Sequence, residues 1–354
     1  MSATIAKPEI TEFKTAHEIV RDLFKPDPWR YWREMLIVGT LAWTAYLLAA
    51  MQPGSTLRAF IYTGLAIPLW YRAGVMVHEL THQKRSEIPG VHFFWNLFIG
   101  IAWLLPSVGY EGAHNSHHRR TTYGTVNDPE YLQLAGNPLA ILGYLLFAFV
   151  AFPIVFTRFI VGTPLSWFCP PLRRYIVQHG SSYIINLKFV RTMTPIEHRR
   201  LFFMEIVILL AIWPPLVLSF LGIFTWQWLI CWYAIYTLSL LVNRIRMLSA
   251  HHFVSDGSPT DHFGQFRDSI NNPTGWWAEV YAPLGMRYHA LHHLFPTIPY
   301  HNMAKAYWRL ASHLPNESFF HKADGRGLLR AIRELFGAHS KRLSDPKGVN
   351  ERAV

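Results

Sequence analysis

Apolar positions in this chain gather into long runs, not into the short or alternating patterns of a soluble domain. Residues 35–51 are nearly all apolar and reach about 17 residues, the lower end of a spanning length. The turn Gln52-Pro53-Gly54-Ser55 separates them from a second run at 57–77, which leads straight into His78. These two runs predict one helical hairpin. Residues 201–221 and 226–242 predict another, turning near Gly222. Both turns are short and almost uncharged, as expected for an outer side. The runs at 91–105 and 138–161 differ. The first is short for a span and Pro153 interrupts the second, so both read as in-plane or re-entrant helices. Residues 162–200 are polar and basic, with Arg173, Arg174, Lys188, Arg191, Arg199 and Arg200, which places them in the cytosol.

The expected architecture is all-α and integral to a membrane. Four transmembrane helices form two hairpins, with re-entrant or interfacial helices and a cytosolic helical cap. Residues 1–34 form a cytosolic lead, with an interfacial helix around Trp29, Tyr31 and Trp32. Residues 35–312 form one integrated membrane domain, and 313–354 a cytosolic tail. The first apolar run begins only near Met35, after a mixed charged segment, so no signal peptide is expected.

Composition agrees with a membrane protein. Apolar residues make up 51 % of the chain and charged residues 16 %, against about 25 % charged in a soluble domain. Aromatic residues reach 15 %, which suits interfacial belts. The net charge of +11 lies largely outside the apolar runs. It reads as positive-inside topology plus a docking face for an acidic partner. No basic stripe or nucleic-acid motif accompanies it, so nucleic acid is not an expected partner. Cys169 and Cys231 are far apart, too few for an iron–sulfur cluster and no disulfide framework.

The candidate chemistry lies in histidine clusters. HELTH carries His78 and His82, HNSHH carries His114, His117 and His118, and HALHH carries His289, His292 and His293. Residues at i, i+3 and i+4 share one helix face, so each cluster aims its imidazoles in one direction. With 19 histidines, HxxHH is expected roughly 0.05 times by chance; this chain has two. Eight imidazoles exceed what one metal ion can use, which points to a two-metal site. All three clusters must then meet on one side of the membrane. HELTH also matches HExxH, in which His78 and His82 would bind zinc and Glu79 act as general base. That protease reading leaves both HxxHH clusters without a role. A metal-binding or transport protein is the non-enzyme reading, but no chain of polar residues crosses the apolar runs.

HxxxH, HxxHH and HxxHH interleaved with two apolar hairpins resemble the membrane fatty acid desaturase and hydroxylase superfamily. The flanks GAHNSHHRRTTYGTVND from Gly112 and PLGMRYHALHHLFPTIPYH from Pro283 strengthen the likeness, which runs roughly from residue 30 to residue 310. The resemblance implies two non-haem irons on His78, His82, His114, His117, His118, His289, His292 and His293. It implies O₂ as co-substrate and an attack on an unactivated C–H bond. A ninth ligand would be His251 rather than His252, although Met247 stands where many relatives have Thr. The expected activity is desaturation of a fatty acyl chain in a lipid or thioester. Lipid or carotenoid hydroxylation is the alternative. A separate electron donor, such as a ferredoxin or small cytochrome, is implied, with the active site on the cytosolic side.

Around these clusters, Glu79, Glu111, Asp128 and Asp268 are candidate partners for ligand N–H groups. His17, His92, His179, His262, His301, His313, His321 and His339 are read as non-ligands, and Glu197-His198 as structural. Trp95, Trp103, Trp276 and Trp277 read as interface anchors, with the lining of an acyl tunnel as the other possibility.

Overall fold

The computed structural model describes residues 7–325 and 327–344, with side chains from 11–325 and 327–337. His339 and the ends of the expected lead and tail therefore lie outside the described side chains. In chain order the helices are α1 (Lys7–Val20), α2 (Pro28–Ala50), α3 (Leu57–His82), α4 (Val91–Trp95), α5 (Ser107–His117), α6 (Pro138–Thr157), α7 (Thr163–Phe168) and α8 (Pro170–His179). They continue as α9 (Pro195–Phe220), α10 (Gln227–Met247), α11 (His262–Asp268), α12 (Ala278–Tyr281), α13 (His289–Leu294), α14 (Tyr300–His313) and α15 (Leu328–Ser344). Among the described residues there is no β-strand, only isolated bridges such as Asn271 with Tyr288. The chain divides into two compact units. The first holds Asp27–Asn115 and Leu146–Val242, and the second Met1–Pro26, Ser116–Leu145 and Asn243–Val354.

In the first unit the boundaries follow local chemistry. Asp27 caps α2 by accepting from the Trp29 amide at 3.0 Å, and Pro28 supplies a preset φ at the first helical position. Thr56 caps α3. α9 opens with a capping box, in which Thr194 and Glu197 satisfy each other's backbone amides. α2 packs along α3, with Arg72 bridging to Glu34 at 2.5 Å. By length and composition four stretches could cross a bilayer: Leu57–His82, Pro138–Phe168, Pro195–Phe220 and Gln227–Met247. Three match the expected runs. The fourth is the segment read as re-entrant, and it has the highest mean hydropathy, 2.5. α2 is 23 residues long but begins with Arg30, Arg33 and Glu34, which lowers its apolar character.

Within that fourth segment α6 gives way to a π-turn at Arg158–Gly162. There Arg158 meets the fully buried Glu205 of α9 at 2.8 Å, and Arg173 of α8 meets the same carboxylate at 2.7 Å. A buried carboxylate between two guanidinium groups is a compensated charge, so the network fixes where the segment turns.

In the second unit the core joins α1, α13, α14 and the 319–323 turn. Leu291, Ala290 and Ile298 are fully buried there, with Leu294 and Phe295 beside them. Burying each large apolar side chain is worth roughly 1.5–3 kcal/mol. This anchors one face of α13 and leaves the other for its histidines.

Candidate metal centre

In the first unit His78 and His82 lie on the last turns of α3, and His114 on α5. Their rings approach to 4.5 Å for His78 with His114, 4.9 Å for His82 with His114 and 5.6 Å for His78 with His82. Their ligand atoms fall within 4.8 Å of one another. Tyr110 stacks on His114 at 5.1 Å.

Neighbouring groups hold this arrangement. The last carbonyls of a helix lack intrahelical partners; His92 Nε2–H donates to that of Leu80, between the two α3 histidines, at 2.8 Å. Burial, with Arg85 nearby, lowers the His92 pKa and keeps the ring neutral. Asn96 Oδ1 accepts from the Ser107 amide at the start of α5 at 2.7 Å. Ser107 in turn donates to Glu111, which Arg85 also meets. The buried Arg191 donates to the Val108 and Gly109 carbonyls and to Glu197. Gly112 makes room for it, because a Cβ there would lie 2.5 Å from the guanidinium. Glu79 is buried and accepts from the Tyr31 hydroxyl and from Gln83 at 3.3 Å. Both bonds fall on Oε1 of the carboxylate that the protease reading needs as a general base.

In the second unit the imidazole nitrogens converge. His289 Nε2 lies 2.9 Å from His251 Nε2 and 3.2 Å from His293 Nε2, and His292 Nε2 lies 3.2 Å from His118 Nε2. His117, His251 and His293 form a fully buried group with ligand atoms within 4.8 Å. Two nitrogens bound at right angles to one metal at about 2.0–2.1 Å would sit about 3 Å apart. The observed spacings therefore fit an imidazole-ligated metal. Burial, reinforced by neighbouring imidazoles and Arg246, holds His251 well below its ordinary pKa; burial and the surrounding histidines do the same to His293. Both shifts favour the neutral imidazole, the form that binds metals.

The hydrogen bonds behind these rings set their tautomers. His117 Nδ1 lies 2.9 Å from Asp128, which also accepts from the Gly124 and Glu130 amides. Burial, the largest single effect, would lower the His117 pKa; the charge and hydrogen bond of Asp128, with the charges of Glu130 and Asp268, together raise it. His251 Nδ1 faces the Tyr123 hydroxyl at 3.0 Å and the Ser269 hydroxyl at 3.2 Å. Tyr123 spends its proton on Asp268 and Ser269 spends its own on the Gln265 carbonyl. His251 Nδ1 must then be the donor, which leaves the Nε2 lone pair for a metal. Burial raises the pKa of Asp268, and burial with the nearby Asp268 charge raises that of Tyr123. The α13 helix has no side-chain cap of its own. Asn271 Oδ1, from a distant loop, accepts the Leu291 amide at 3.0 Å.

The structure thus brings His78, His82 and His114 together in one unit and His117, His118, His251, His289, His292 and His293 together in the other. His251, not His252, faces the rings of His289 and His293. Of the four acidic candidates, Asp128 contacts a ring directly and Asp268 acts through Tyr123; Glu79 and Glu111 face other partners. Tyr123, Ser269, Asn271 and the capping role of His92 carried no spacing signal, because each reaches its partner from a separate part of the chain.

The fatty acid desaturase family matches residues 55–322. A ceramide hydroxylase of Caulobacter vibrioides (strain NA1000 / CB15N) is 37 % identical over 332 residues, covering 93 % of this chain and 94 % of that protein. No solved structure matches. The chain belongs to the fatty acid desaturase family. It is an integral membrane protein and an enzyme of the desaturase and hydroxylase type.

Proposed function

We propose that this protein is an O₂-dependent oxidase of lipid C–H bonds, and that its reaction is hydroxylation of an alkyl chain in a ceramide-type lipid. The observation that carries this reading is the 37 % identity to a ceramide hydroxylase across nearly both whole chains. Desaturation of an acyl chain is the second reading, favoured by the family itself. The two reactions share hydrogen removal and differ in whether a hydroxyl or a second hydrogen loss follows.

His78, His82, His114, His117, His118, His251, His289, His292 and His293 would hold two irons. Bound iron supplies O₂ activation, which zinc, with no redox chemistry, cannot. The chain's own residues do the rest. Asp128 and the Asp268–Tyr123 pair fix ring orientation and tautomer. Burial of the rings excludes water. For hydroxylation the balance is one C–H bond, one O₂, two electrons and two protons giving one C–OH and one water. The electrons would come from a separate donor, a ferredoxin or small cytochrome, docking on the basic cytosolic surface.

The test is lipid mass spectrometry of membranes with and without the expressed protein, supplied with a ceramide. A gain of one oxygen supports hydroxylation. A loss of two hydrogens supports desaturation. An unchanged lipid profile with iron bound and a reducing donor present would sink both.

A further inference from the structure

No Asp or Glu occurs between Glu130 and Glu197, whereas Arg158, Arg173, Arg174, Lys188 and Arg191 fall in that stretch. Part of this positive excess gathers where the fourth apolar segment ends. Arg158, on the π-turn, donates to the Gly180 carbonyl at 2.9 Å, to Thr163 Oγ1 at 3.0 Å and to Glu205 at 2.8 Å, so its donors are spent inside the fold. Arg173 gives one N–H to the other oxygen of Glu205 at 2.7 Å. Glu205 is then used on both oxygens and balances only one of the two guanidinium groups. Arg174, the next residue, is exposed and has no ion pair among the described residues. Apolar and aromatic side chains stand beside these charges. Phe168 ends α7 and is 87 % exposed, Leu165 is exposed one turn before it, and Tyr175 on α8 is 63 % exposed. Trp167 packs on Phe202, in the opening turns of α9, with 5.4 Å between ring centroids. Arg199 is exposed three residues before Phe202, on the same face of α9.

We propose that the face formed by α7, α8 and the start of α9 binds the headgroup of an anionic membrane phospholipid, with Arg173 and Arg174 on its phosphate and Leu165 and Phe168 against its acyl chains. The inference rests on the membrane family and needs neither the hydroxylase nor the desaturase reading. Three observations select this occupant. The unbalanced charge is of one sign, which favours a net-negative headgroup over a zwitterionic one. The charges lie among exposed aromatic and apolar side chains, which a free anion would leave in water, whereas a lipid supplies a phosphate and an apolar phase together. Glu205 fixes Arg173 before anything binds, so a charge-assisted bond to phosphate loses little side-chain freedom.

The test is native mass spectrometry of the purified full chain, washed in detergent with phosphatidylglycerol and phosphatidylcholine of matched acyl chains in equal amounts. Phosphatidylglycerol is expected to be retained in preference, by about fivefold or more. Arg174→Gln, at an exposed side chain with no ion pair to lose, should cut that preference by about fivefold, with iron content and the thermal midpoint in phosphatidylcholine unchanged as evidence of folding. Arg173→Gln should act in the same direction. Glycerol 3-phosphate, the same chemistry without acyl chains, should fail to displace the lipid; displacement would assign the site to a soluble anion and overturn the lipid assignment. Equal retention of the two lipids, or a preference unchanged in both variants, overturns the proposal. So does binding of an acidic ferredoxin that falls in Arg174→Gln while lipid retention holds, which gives this face to the electron donor. No turnover is measured, so failure of the hydroxylase reading and failure of this inference are read separately.

Discussion

Asp128 is the residue through which a proposed ligand, His117, is held in place. It is fully buried, bonds His117 Nδ1 and is held in turn by two backbone amides. Asp128→Asn keeps the shape but removes the charge that orients and polarises the ring. Iron affinity should fall about 10- to 100-fold, read by metal titration of the purified protein; an unchanged affinity would remove Asp128 from the ligand scheme. Tyr123→Phe should act less severely on His251, because Ser269 still accepts from its Nδ1. Glu79 gives the opposite expectation. Tyr31 and Gln83 both donate to its Oε1, an acceptor that glutamine keeps, so Glu79→Gln should retain iron and measurable turnover, with a loss of about 10- to 100-fold at most. Complete loss of turnover with iron intact would instead restore Glu79 as a general base. The histidine clusters were legible from spacing, whereas Asp128 was one of four acidic candidates that nothing in the sequence ranked. Tyr123 was not, because its meeting with His251 and Asp268 spans more than a hundred residues, and tyrosine at that position has no periodic signature.

At the level of elements, each histidine-bearing helix is short or ends at its ligands, so other segments must supply its caps. His92 closes α3, Asn96 opens α5 and Asn271 serves α13. The long apolar helices were readable from runs and turns, and the caps from afar were not, since they depend on where loops return. The Gly112–Arg191 contact exposes this dependence. Gly112→Ala would drive a methyl group into the guanidinium and loosen the bonds to the Val108 and Gly109 carbonyls. The expected cost is about 1–3 kcal/mol in stability, together with iron loss through displacement of His114 two residues on. Thermal unfolding and iron content, measured together, check it. Arg191→Lys keeps the charge but cannot span both carbonyls and Glu197, so it should reproduce the iron loss; full iron in both variants would show that the clamp does not position His114.

For the whole molecule the decisive quantity is the number of crossings. The sequence reading counted α2, α3, α9 and α10 as two hairpins, whereas hydropathy and length select Pro138–Phe168 in place of α2. The two counts differ in consequence. Two hairpins return the chain to the same side, so residues near 120 and near 300 share it. If Pro138–Phe168 also crossed, the segments before and after it would face opposite sides of a core about 30 Å thick, and one two-iron site could not draw on both. Arg158, at the end of α6, and Arg173, beyond α7, meet on the single carboxylate of Glu205, and Arg158 also donates to the Gly180 carbonyl. Arg158 and Arg173 lie on either side of the π-turn and α7 at the C-terminal end of the segment, so their shared carboxylate marks a turn of the chain there. Cysteine accessibility at residues near 120, 180 and 300 should therefore give one cytosolic answer, with residues near 54 and 223 on the other side, as their nearly uncharged turns suggest. Opposite answers at 120 and 300 would part His117 and His118 from His289, His292 and His293 and would sink the proposed shared iron site.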